Sequence, residues 1–162
     1  MTTIARMRRW WLAGVGAALL AACAAPQVTP EMVTALSYEA LGPEMQMGEQ
    51  LLTVWVPAAP KPAPGAPAMS AEATAALAAA STTMITDLAQ VMARGAREPI
   101  NLAVGGPDSA LTAQVLIRAL RAVPVNVPRL RIAFVGQPND AREAAAVAQM
   151  RGAALHFEQA PK

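Results

Sequence analysis

The sequence predicts an α/β protein: a small, mostly parallel sheet of three or four strands in βαβαβ order, preceded by an alanine-rich helix and carried on a proline-rich tether. Three observations predict it. Short apolar runs at 51–56, 100–104, 130–135 and 155–158 have the β-branched and aromatic content of strands. Segments with apolar residues at helical spacing alternate with the later runs. Glycine-bearing turns, Gly105-Gly106-Pro107 and Gly136-Gln137-Pro138-Asn139, stand between strand and helix. Such alternation with tight connections implies right-handed crossovers and parallel strands.

Before the first of these elements comes an export signal. Arg6, Arg8 and Arg9 precede an uncharged apolar run over 10–22 that ends in small residues. A membrane span needs roughly 20 apolar residues, so the shorter run reads as a secretory signal over 1–22. Leu20-Ala21-Ala22-Cys23 resembles the lipobox of bacterial lipoproteins. That resemblance implies cleavage before Cys23 and acylation of its thiol with fatty chains such as palmitate, which hold the protein to a membrane. In that class an Asp after the cysteine favours inner-membrane retention. Ala24 occupies the position here, which implies the outer membrane, with the protein facing the periplasm.

Removing the signal changes the charge. The whole chain carries +2, from 13 basic and 11 acidic residues. Three arginines leave with residues 1–22, so the mature chain is expected at −1. A sequence pI near 9.2 is therefore no pointer to nucleic acid, which requires a basic surface that survives processing. Cys23 is the only cysteine, and once acylated it leaves neither a disulfide nor a thiolate metal site.

The organisation expected from 23 onward has three parts. Residues 23–56 hold the anchor, a leash, and a short helix and strand; 57–67 form a linker; 68–162 form the globular domain. Thr29 is placed to cap a helix that opens at Pro30, runs to Leu41 and stops at Gly42-Pro43. The strand at 51–56 follows, able to join this sheet or a partner's. Pro57, Pro60, Pro62, Pro64 and Pro67 then forbid both sheet and helix interior, giving a stiff spacer. Ser70 is the expected cap of an alanine-rich helix reaching Ala93, with Gly95 as its stop. Leu77, Met84, Leu88, Val91 and Met92 recur along it at mostly helical spacing, as core filler. Asp108 or Ser109 caps the next helix, whose inner stripe is Leu111, Val115, Leu116 and Ala119, with Arg118 and Arg121 toward solvent. Asp140 and Glu143 have capping-box spacing for a helix ending near Arg151 and Gly152. The strand at 155–158 alternates apolar with polar, as an edge does.

Candidate chemistry concentrates at two loops. Gly105, Gly106, Asp108 and Ser109 lie between a strand and a helix N-terminus, where open α/β sheets bind anions. Gly136 and Asn139 belong to the same edge of the sheet. The full glycine fingerprint is missing, and Asp108 brings its own negative charge to the spot a phosphate would take. His156 is the only histidine, so no two-histidine metal set exists. Ser109 lacks the nucleophile-elbow pattern. No catalytic residue, metal or cofactor is assigned, and an enzyme is not expected.

Three functions fit these features. The first is a structural or assembly subunit of a cell-envelope complex, such as a secretion or pilus machine, with the strand around Leu52, Val54 and Trp55 docking onto an envelope protein by strand addition. The second is wall binding: Val104-Gly105-Gly106-Pro107-Asp108, Arg118-Ala119, Arg121-Ala122 and Arg129-Leu130 resemble pieces of the peptidoglycan-associated lipoproteins of the outer-membrane protein A family. That family's strand ends in Gly-His-Thr-Asp and leads to a helix with Asn-x-x-Leu-Ser-x-x-Arg-Ala. Here the His, the Thr and the intervening loop are missing, so no peptidoglycan-binding role is carried over. The third is a small anionic ligand held at the two glycine loops.

Overall fold

The computed structural model describes residues 28–58, 70 and 81–161. The expected signal, the lipobox with Cys23, most of the proline-rich linker and the alanine-rich stretch at 71–80 lie outside those residues. Among the described residues no helix is long and apolar enough to cross a membrane.

Helix α1, Pro30–Leu41, begins where the sequence predicts: Thr29 Oγ1 accepts from the Met32 amide at 3.3 Å, and Pro30 takes the first position, where no N–H is needed. A 3-10 turn over Gly42–Glu44 ends it. Strand β1, Leu51–Trp55, follows. Helix α2, Thr82–Ala93, passes through a 3-10 turn, Arg94–Ala96, into β2, Ile100–Gly105. Helix α3, Ser109–Ala122, leads to β3, Leu130–Gly136, and helix α4, Pro138–Met150, leads to β4, Ala154–Gln159.

All four strands run parallel in the order β1-β2-β3-β4. β2 and β3 are buried on both faces, which explains their nearly unbroken apolar sequence. Side-chain alternation divides the core in two. Leu52 and Val54 of β1, Leu102 and Val104 of β2, Ile132 and Phe134 of β3, and Leu155 and Phe157 of β4 meet α2, α3 and α4. On the opposite face Val33 and Leu36 of α1 meet Leu51, Trp55, Ala103 and Val135. Among the described residues three helices thus cover one face and α1 covers the other, touching every strand.

Three expectations need correction. The strand at 51–56 is not part of a tether ahead of a separate domain: β1 pairs with β2 from Leu51↔Asn101 to Trp55↔Gly105. The boundary drawn at 68 therefore cuts one sheet, and the proline-rich segment belongs to the β1–β2 crossover. Parallel neighbours need a connection of about a dozen residues or more, and 56–99 supplies it. α3 is buried almost all round, including Thr112, Ala113, Ile117 and Leu120, because α2 and α4 flank it on the sheet. α4 starts at Pro138 rather than at an Asp140 cap; Asp140 sits in its first turn, where its charge suits the helix dipole. The cap expected at Ser70 concerns a helix start over 71–80, which lies outside the described residues; the helix is described from Thr82.

Gly105 sets how closely α1 approaches the sheet. A Cβ there would collide with the Val33 side chain, while Ala103 and Ala133 keep the neighbouring positions small. Gly105→Ala should therefore cost about 1–3 kcal/mol as an overpacked contact, read as a lower thermal midpoint. Adding Val33→Ala should recover part of the loss; a double variant no better than Gly105→Ala would place the strain elsewhere.

Candidate functional site

The carboxyl ends of the strands carry the two glycine loops, and the structure brings them together. The Gln137 amide donates to Ser109 Oγ at 2.8 Å, tying the loop after β3 to the start of α3. Asp108 caps α3 itself: its carboxylate accepts from the Leu111 amide at 3.0 Å, and its carbonyl accepts from the Thr112 hydroxyl at 2.7 Å. One of the first-turn amides, that of Leu111, is thus already engaged. The glycines serve close packing. A Cβ on Gly106 would strike the Val56 carbonyl and come within 2.7 Å of Thr112 Oγ1. One on Gly136 would fall 2.5 Å from Ser109 Oγ and 2.6 Å from Phe134 Cε1. Asn139 lies exposed on the first turn of α4. The two loops approach each other and the end of β1.

The second candidate surface is β1, which forms one edge of the sheet. Its three singled-out residues do not share a face: Leu52 and Val54 point toward α2, and Trp55 toward α1. Val56 donates its amide to the Gly105 carbonyl at 2.9 Å. Backbone amides alternate in direction along a strand, so those of Leu51, Thr53 and Trp55 face away from β2. Among the described residues no strand receives them. Thr53 is exposed, and its hydroxyl meets that of Thr34 at 3.0 Å. Beside the edge an apolar groove of about 380 Å³ runs between Val54 and the α2 residues Met84, Leu88 and Val91, with Asp87 at its rim.

A third group was not anticipated from the sequence. At the amino ends of the strands, on the α1 face, Asn101 Nδ2 and Arg131 Nη1 both donate to Glu49 Oε2 at 2.9 Å, and Arg131 Nη1 also reaches Asn101 Oδ1 at 2.9 Å. Glu44 lies 4.0 Å from Arg131 and 3.4 Å from His156 Nε2. Glu49 Oε1 is buried without a hydrogen-bond partner. A signal for this cluster exists: Asn101 and Arg131 are the polar intruders in two strands that are otherwise apolar, and buried polar groups require partners. The partners come from the connection between α1 and β1, so the cluster fastens that connection to the sheet. It contains no nucleophile, and it occupies the strand ends opposite those where open α/β sheets take ligands. Among the described residues no group of His, Cys, Asp and Glu is large enough to hold a metal ion.

These features define a four-stranded parallel α/β protein with a packed carboxyl edge and a β1 edge on which no described strand pairs. Comparison with known proteins finds no matching family model, curated protein or solved structure.

The Glu49 cluster has a pH signature. The hydrogen bond from Asn101 holds the Glu49 carboxyl below its ordinary value of 4.5, against the opposing effect of burial and with help from Gln46 and Arg131. As pH falls below 4.5, the unfolded chain takes up the proton first, so stability declines. Glu49→Gln should therefore be less stable than the wild type above pH 4.5, and the gap should close under acid. A gap that does not change with pH would mean that the Glu49 charge contributes nothing.

Proposed function

We propose that the chain is a lipid-anchored envelope lipoprotein that works by docking, as a non-catalytic structural or assembly subunit of a cell-envelope complex. The observation that carries this reading is the β1 edge, where a row of outward amides lies beside an apolar groove. An extended segment of an envelope protein added there would satisfy the amides, and its inward side chains would fill the groove beside Val54 and Leu88. The carboxyl edge supports the same reading. Loops that would otherwise cradle a small anion are held together by Ser109 and Gln137 and filled by neighbouring protein atoms. The lipobox motif ending in Cys23 supplies the membrane tether, on the outer membrane facing the periplasm.

Deleting β1 would destroy the sheet, so the docking mode is better tested by one substitution. Thr53→Pro removes an outward amide and no bond to β2, and proline is tolerated at such edge positions. A mild-detergent pull-down from the native envelope should recover a defined set of partners with the wild type and lose them with Thr53→Pro, while the thermal midpoint shifts only slightly. Undiminished recovery would sink the strand-addition mode. Cys23→Ser should release the protein from the membrane fraction.

A further inference from the structure

The described arginines are not spread evenly over the molecule. Arg94, Arg97, Arg121, Arg129 and Arg151 gather at the amino edge of the sheet, where α2, α3 and α4 end. Short bonds hold this end together. Arg129 donates to the Arg97 carbonyl at 2.7 Å and Arg151 to the Arg121 carbonyl at 2.8 Å, and the Val127 amide reaches the Arg151 carbonyl at 2.8 Å. On the side of the sheet that these three helices cover, Glu98, paired with Arg94, is the only carboxylate beside the arginines among the described residues; Glu39, Glu44 and Glu49 lie at the same edge on the α1 side, the last two facing Arg131. Three helix C-termini contribute roughly half a negative charge each. That offsets less than half of the excess positive charge on this side, so helix-dipole complementarity alone leaves a basic patch where α2, α3 and α4 end. The opposite edge carries Asp108, Asp140, Glu143 and Glu158 against Arg142. Two apolar side chains project from the basic end, Val125 at 45% exposure and Met150 at 71%. Val125 lines a hollow of about 530 Å³ with Arg94 and Arg97.

We infer that this arginine-rich end is a docking face for an anionic bilayer, with Arg97, Arg121 and Arg129 against lipid phosphates and Val125 and Met150 among the headgroups. Arginine suits phosphate because its fork of donors matches the oxygens. A basic face beside exposed apolar tips adds a second, reversible membrane contact to a lipid anchor. The choice of a bilayer rests on the lipoprotein reading, but the contact does not require lipid on Cys23.

The test uses the full chain reconstituted into vesicles of phosphatidylcholine alone, or of phosphatidylcholine with an equal amount of phosphatidylglycerol. Amide hydrogen exchange is followed at 94–98, 121–129 and 150–152. Exchange there should slow on the anionic vesicles and recover at about 1 M salt, where the screening length is about 3 Å. Each neutralised arginine should weaken the contact about fivefold, so Arg97→Gln with Arg121→Gln should weaken it roughly 25-fold. Arg142→Gln at the far end should change nothing. Equal exchange on both vesicle types would overturn the inference, as would protection that survives the double substitution. Protection by cell-wall sacculi but not by vesicles would overturn it in favour of a wall polymer. None of these outcomes bears on whether Thr53→Pro abolishes partner recovery, so the two readings fail separately.

Discussion

Among the described elements one helix covers a sheet face while three cover the other, and much of the structure follows from that inequality. α1 meets its task by lying close. Gly105, Ala103 and Ala133 keep the sheet surface low beneath it, and Val33, Ser37 and Leu41 form the buried stripe that descends on it. Ser37 is fully buried, and its hydroxyl has no partner, which is the kind of cost a tight approach imposes. What α1 does not cover at the amino edge is left to polar residues. Asn101, Arg131 and His156 sit there and are satisfied by Glu44 and Glu49 from the connection that follows α1. That connection then delivers the chain directly to β1. Helix, polar cluster and edge strand thus act as one unit, and weakening any of them exposes the others.

The same dependence explains what the sequence made legible. Elements set by local chemistry fall where they were expected: Thr29 and Pro30 open α1, β-branched and aromatic residues mark β1, Asp108 caps α3, and Gly152 closes α4 with a positive φ of 75°. The sheet's membership was not local. Nothing within 51–56 distinguishes a strand that joins β2 from one that joins a partner, because the pairing is made across a crossover of more than forty residues. The near-complete burial of α3 was hidden for a related reason. An inner stripe can be read from spacing, but contact on both flanks depends on which helices lie next to it.

The candidate site was legible in position and not in content. Sequence reasoning placed Gly105, Gly106, Asp108, Ser109 and Gly136 together at the carboxyl edge, and the Ser109–Gln137 bond joins them there. Whether a glycine leaves room for a ligand or for its own protein depends on neighbours distant in sequence, here Val33, Val56 and Ser109. The cluster of Asn101, Arg131 and Glu49 was legible in principle. An asparagine and an arginine inside otherwise apolar central strands are anomalies that ask where their partners are, and a connection carrying two glutamates was the available answer.

Direction along the strands links the proposed tether to the two proposed contact surfaces. Val33 packs on Gly105, so the chain enters α1 at the carboxyl edge, and a leash of five residues from Cys23 to Thr29 spans at most about 20 Å. The seven residues of β3 alone put about 23 Å between that edge and the arginine-rich end, where the strand begins. A domain standing upright on its leash would hold that end away from the membrane. For the lipid on Cys23 and the arginines to reach one bilayer together, the strands must lie roughly along its surface. In that posture the sheet is seen edge-on or helix-side from the periplasm, and β1 can face outward while both ends of the molecule are held. The charge separation along the strands then fixes which end settles on phosphate, and the open edge remains the surface through which another protein would be engaged.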